Sequence, residues 1–370
     1  MAADSPRRKV PHLAGLDGVR VAATLLIIVI HGDHWPLQDQ GADRAVWDGV
    51  DLLARVSVPL FVMLSGTLLA YTRQDQMPLK TFARRRLGRS LLPWLVWMPA
   101  YTLIGLFLTG EVQRSPSGVV SWWLLGGGHL WYLLLIPQLY VVFQLWPRSV
   151  RGTFVAAAIA LAVQTAICVY RLYAPQDAPG NGFLLTYAYE FFFCWIGYFA
   201  IGIAIGAFLA SRGVARPWWS GPVAWAGVVV GAVLLLTVNV EAAANAEFAQ
   251  GTGAFLRPLL PLATAAAFVA IAVTTAPLLN REGRFTELVK TVSRYSLGIY
   301  IVHEALIYLP GRALAPFLLQ QHVPVSAIGF VLLVAATLVI SHLVTRLIVA
   351  TPLAITVGLP PEPFARRTGG

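Results

Sequence analysis

Charge is what this sequence has least of. Only 12% of its 370 residues are Asp, Glu, Lys or Arg, against 57% hydrophobic residues, and the mean hydropathy is +0.69. That balance excludes a soluble protein of this length and predicts an integral membrane protein. Cysteine is nearly absent. Cys168 and Cys194 both lie in apolar runs without metal-ligand spacing, so the reading is packing, with no disulfide framework and no metal site expected. Long polar connections are missing too, which leaves no room for a separate soluble domain. No A-x-A-like cleavage site follows the basic stretch PRRK before His31, and Asp17 and Arg20 interrupt the approach, so the first apolar run reads as a retained span. No internal repeat points to an inverted-repeat transporter.

What is present is a series of apolar runs of about 20 residues, the length that crosses a bilayer. They fall near 16–35, 46–71, 90–109, 119–146, 152–172, 187–210, 219–240, 254–277, 295–311 and 324–349. The pattern predicts an all-α polytopic bundle of about ten transmembrane helices over 15–350, with tails at 1–14 and 351–370. The formal charge of +10 sits in short groups between runs rather than in one patch, so it reads as topology and not as a nucleic-acid surface. Alternate connections hold Arg73, Lys80, Arg84, Arg85, Arg86 and Arg89, then Arg148 and Arg151, Arg212 and Arg216, and Arg281, Arg284, Lys290 and Arg294. That asymmetry predicts both termini in the cytoplasm of a multi-pass cell-membrane protein.

Three polar constellations interrupt this pattern. In the first run, LDGVRVAATLLIIVIHGDHW, Arg20 and His31 are eleven positions apart, which puts them roughly 20° apart around a helix and roughly 16 Å apart along it. Asp17 and Thr24 extend the same stripe. Ionisable groups inside a span face a bundle interior or a water-filled cavity and mark functional sites by default; the plainer alternative is that Asp17 and Arg20 are interfacial and His31 caps the far end. The second constellation is the loop TFARRRLGRSLLPW, where Arg86 and Arg89 are helix neighbours and Arg85 stands beside them. Guanidinium forks suit phosphate oxygens, and equally a lipid headgroup. The third is RYSLGIYIVHEALIY, in which Ser296, Tyr300 and His303 form one helical stripe with Glu304 beside it. Asp51 and Arg55 are spaced to pair with each other, and Glu190 reads as structural.

These residues resemble the acyltransferase-3 family of bacterial membrane acyltransferases. Its first helix carries Arg-x10-His, here Arg20 and His31; VPLFVMLSGTLLA at 58–70 is similar to its second-helix signature, with Ser65 and Gly66; RLGR at 86–89 followed by Pro93 matches its Arg-x-x-Arg motif; HLWYL at 129–133 and YSLGIYIVH at 295–303 match later segments. The resemblance runs in order over essentially the whole chain. It implies transfer of an acyl group, usually acetyl, from cytosolic acyl-CoA as co-substrate to a hydroxyl on an extracytoplasmic or lipid-linked carbohydrate, as in the stand-alone surface-polysaccharide O-acetyltransferases. The family also includes enzymes that act on antibiotics, and candidate exporters.

On that reading Arg86 and Arg89, with Arg85 a weaker candidate, hold the CoA phosphates, and the pantetheine arm runs past Arg20 toward His31. His31 is the general base, or in a less economical variant the carrier of a covalent acyl group. Arg20, paired with Asp17, orients the donor or stabilises charge, while His303, Ser296 and Tyr300 bind the acceptor or polarise the carbonyl. The alternative of another class is a non-enzymatic exporter or flippase that uses the same polar stripes as its route.

Overall fold

A backbone that leaves water for lipid must satisfy its own polar groups, and an apolar run does so by becoming a helix. The structure, a computed structural model, describes residues 11–34, 50–51, 53–72, 77–124, 127–173, 190–212, 229, 260–320 and 326–361. Among them there are helices and no strand: α1 (Ala14–Ile30), α2 (Ser57–Tyr71), α3 (Leu79–Ile104), α4 (Pro116–Leu124), α5 (Trp131–Gln144), α6 (Val150–Tyr173), α7 (Ile196–Arg212), α8 (Leu260–Leu279), α9 (Arg284–Gln320) and α10 (Ala327–Val349). α3 continues through Pro93 and Pro99 into a π-helical turn, Gly105–Thr109, that Gly110 ends at φ 75°.

Four stretches, Leu79–Thr109, Val150–Tyr170, Leu260–Leu279 and Ile328–Val349, are long and apolar enough to cross a membrane. Pro116–Leu124 with Gly128–Gln144, bent by 45°, makes a fifth if the two halves are one span. The expectation of about ten is therefore met by four or five among the described residues. α1 has 17 residues, about 26 Å of helix, and α2 and α7 are similarly short. α9, at 37 residues, carries Glu287, Lys290 and Arg294 in its first half. An apolar run marks burial, and burial inside a bundle needs neither full bilayer length nor freedom from charge. The expected span at 219–240, apart from residue 229, lies outside the described residues, as do the start of that at 254–277, residues 1–10 and residues 362–370.

α1 packs against α2, α8, α9 and α10. Its first half, through Leu16, Val19 and Ala23, joins a core with Leu60, Phe199 and Phe268; its second half, through Ile27 and Ile28, joins another with Met98, Leu133 and Ile299. Close approach is bought by small residues. A Cβ on Gly202 or Gly206 of α7 would run into the Met63 or Thr67 carbonyl of α2, and one on Gly18 of α1 would meet Thr275 of α8. The outer faces are apolar: Phe107, Leu124, Phe154, Ile159, Leu332 and Val339 are all exposed, as a surface in contact with lipid requires. Neither Cys168 nor Cys194 forms a disulfide among the described residues.

Candidate active site

Two cavities are stacked along α1, and Tyr300 of α9 lines both. The first, about 190 Å³, takes its cationic wall from Arg20 of α1 and from Arg86 and Arg89 of α3, with Ser65, Tyr132 and Ser296 also facing it. The second, about 770 Å³, is lined by His31, His129, Glu304, Glu111, Glu190 and Trp122 among others. Helix period explains the division: one face of α1 delivers its arginine to one cavity and, three turns later, its histidine to the other.

Arg20 is held from α9. Its Nη1 donates to Ser293 Oγ at 2.9 Å, the Ser293 hydroxyl donates to Asp17 Oδ1 at 2.6 Å, and the direct Arg20–Asp17 approach is 3.7 Å. His12 Nε2 lies 2.9 Å from the other Asp17 oxygen. Arg86 lies against the Tyr140 hydroxyl, with Arg89 near it. Among the described residues no carboxylate pairs with Arg86 or Arg89, so this small cavity carries uncompensated positive charge. Such a wall favours an anion.

The second cavity ends on the imidazoles of His31 and His129, with that of His303 packed against them. The His31 ring centroid is 5.1 Å from that of His303 and 6.2 Å from that of His129, and His129 and His303 are 5.4 Å apart. His129 reaches the core on a short turn, Gly128–Leu130, that begins with Gly127 at φ 43° and Gly128 at φ 54°, a left-handed backbone that strains any residue with a Cβ. Its Nδ1 pairs with the Glu304 carboxylate, and its Nε2 lies 3.2 Å from the Ile301 carbonyl, which also accepts from Tyr101 at 2.7 Å. The Tyr300 hydroxyl donates to the main-chain carbonyl of His129. His303 is fully buried, with Nδ1 2.6 Å from the Tyr300 carbonyl.

The sequence profile of a family described as an acyltransferase domain, acyltransferase-3, matches residues 13–346. The chain belongs to this family. Acyltransferase MdmB of Streptomyces mycarofaciens is 26% identical to it over 332 residues, 80% of this chain and 79% of that one. No solved structure matches. The chain is an acyltransferase, and its apolar helices make it a membrane protein.

In this acyltransferase the structure brings Arg20, Arg86 and Arg89 to one cavity and His31 to the other. The other candidates are distributed around these two cavities. Arg85 is exposed on the outer face of α3 and lines neither cavity. Asp17 lines neither cavity and meets Arg20, the partner its spacing predicts, at 3.7 Å and through Ser293. Ser296 faces the arginine cavity rather than the histidines. His303 lies behind His31 with no exposed surface, too deep to touch an acceptor. Asp51 and Arg55 pair at 2.8 Å, as their spacing predicts. Sequence reasoning missed the roles of His129 and Ser293. Ser293 is one turn upstream of Ser296 on the stripe that continues through Tyr300, so the helical period contained it. His129 opens the segment HLWYL that the family resemblance marked, but no helical stripe pointed to it, because a short 3-10 turn behind two glycines delivers it.

Proposed function

We propose that this acyltransferase moves an acyl group, acetyl by preference, from cytosolic acyl-CoA to a hydroxyl of a cell-surface or lipid-linked carbohydrate, as a multi-pass cell-membrane enzyme of about ten spans with cytoplasmic termini. The observation that carries the reading is the pair of cavities sharing Tyr300, one cationic and one ending in histidines. A thioester donor with phosphates at one end needs cations there and a base at the other end, and α1 supplies Arg20 and His31 at those two levels. Arg86 and Arg89 bind the CoA phosphates; guanidinium contacts to phosphate are short and charge-assisted. The larger cavity takes the acceptor. Its walls mix Trp122 and Trp131 with Glu111, Glu190, Gln113 and Ser121, flat apolar faces beside hydrogen-bonding groups, which suits a sugar ring better than a purely apolar ligand.

The chemistry then follows from neutral imidazole. His31 takes the proton of the acceptor hydroxyl as its oxygen attacks the thioester carbonyl carbon. The tetrahedral intermediate collapses, the C–S bond breaks, and the CoA thiolate leaves with the proton from the His31 imidazolium. The partly buried Glu304 carboxylate, paired with His129, supplies negative charge near that transient cation. Free CoA released by purified protein in nanodiscs, with acetyl-CoA and a panel of glycan acceptors, tests the reading. Release that disappears in His31→Ala supports it. Failure to bind CoA at all overturns it in favour of a transport route.

A further inference from the structure

His303 carries an unexplained atom. Its Nε2 is buried and has no hydrogen-bond partner among the described residues, a condition that native interiors rarely leave without reason. The Tyr300 carbonyl can only accept, so the 2.6 Å contact puts a proton on Nδ1 of His303 and leaves Nε2 of the neutral ring as a bare acceptor. The titratable groups that bear on this ring are His31, His129 and Glu304, and Tyr300 lies at 5.9 Å between ring centroids. Glu304 is a carboxylate and donates nothing. His129 has its two nitrogens turned to the Glu304 carboxylate and the Ile301 carbonyl, so neither faces Nε2 of His303. The Tyr300 hydroxyl donates its hydrogen bond to the His129 carbonyl. The remaining titratable group beside this ring is His31, whose centroid is 5.1 Å away in a T-shaped arrangement with the rings at 62°, so a small rotation of the His31 ring brings one of its nitrogens to Nε2.

We propose that His303 is a positioning residue for His31: its bare Nε2 accepts a hydrogen bond from one ring nitrogen of His31 and so fixes the other, unprotonated, toward the acceptor cavity. This rests on His31 being the general base. A base histidine works only in the tautomer that presents its lone pair to the substrate, and a fixed partner on the opposite nitrogen selects that tautomer. When His31 takes the acceptor's proton, the same hydrogen bond becomes charge-assisted and strengthens as the transition state forms. The proton goes on to the CoA thiolate, so His303 gains and loses none. Its depth, which removes it from the acceptor, is what this role requires.

The test compares wild type, His303→Leu, His303→Gln and His31→Ala as full-length protein in nanodiscs, each checked for a single thermal transition. 15N-histidine NMR, with the His31 signal assigned by its loss in His31→Ala, reads the tautomer directly, and CoA release reads turnover across pH. The expected result is one His31 tautomer in wild type, a mixture in His303→Leu, and kcat lowered about ten- to a hundredfold there with the donor KM unchanged. The Gln amide oxygen reaches the place of Nε2, so His303→Gln restores the single tautomer and most of the rate. An unchanged His31 tautomer in His303→Leu overturns the proposal, as does a Gln variant as slow as Leu with its tautomer restored. If His31→Ala turns over at the wild-type rate, the base reading fails by itself, while the tautomer spectrum still decides the pairing.

Discussion

The Tyr300 hydroxyl donates to the main-chain carbonyl of His129, and the same tyrosine forms a wall of both cavities. One side chain thus joins the turn that carries a histidine to the partition between a cationic and a histidine-lined space. Tyr300→Phe keeps the ring and removes the bond, leaving a buried carbonyl without its donor at a cost of about 1–3 kcal/mol. The expected outcome is a lower thermal midpoint and a lower kcat, with the donor affinity little altered, measured by CoA release and by CoA titration.

His31→Ala is expected to slow CoA release by about 10²–10⁴-fold, the usual worth of a general base. His31 is at the end of α1 and only partly buried, so the melting curve is expected to move far less than the rate.

Arg86→Ala and Arg89→Ala are each expected to weaken CoA binding by about tenfold or more, since a hydrogen bond to a charged group contributes roughly 1.5–3 kcal/mol. Arg85→Ala is expected to leave it within about twofold, because Arg85 points away from the cavity. Isothermal titration with CoA on the three variants separates these outcomes. Equal losses at all three positions would mean that the arginines act as a diffuse surface charge.

Ser293→Ala removes the hydroxyl between Arg20 and Asp17. With that bridge gone the guanidinium is left to the 3.7 Å contact alone, and the donor KM is expected to rise several-fold while Arg20→Ala raises it more. A Ser293→Ala enzyme with wild-type donor KM would show that Arg20 is positioned by its own helix.

Gly202→Leu places a side chain where α7 meets the Met63 carbonyl of α2. Overpacking of this kind costs about 1–3 kcal/mol or more, and the expected result is poor recovery of folded protein from detergent, assessed by size-exclusion chromatography.

Periodicity made part of this site legible. Arg20 and His31 share a stripe at eleven residues, and Arg86 and Arg89 share one at three, so a single helical wheel placed each pair before any tertiary contact was known. The wheel could not say which stripe met which. Ser296, Tyr300 and His303 are one stripe, yet the structure sends Ser296 to the arginines, Tyr300 to the partition and His303 behind His31, because a 37-residue helix passes several environments in sequence. His129 was beyond this reasoning for a different cause. Two glycines in a left-handed backbone bring it in, and the carboxylate it meets is 175 positions later in the chain. Four or five of the described stretches are long and apolar enough to cross a membrane by themselves, and apolarity alone reports removal from water, whether the shelter is lipid or protein.

α1 also imposes a metric. Arg20 and His31 hang from one rigid rod, so their spacing is set by helix rise, roughly 16 Å, and neither can be adjusted without the other. Inserting or deleting one residue between them would swing His31 by about 100° out of register with Arg20 while changing the length by only about 1.5 Å. On the proposed function the helix therefore acts as a caliper, fixing how far the base stands from the guanidinium that the donor arm passes.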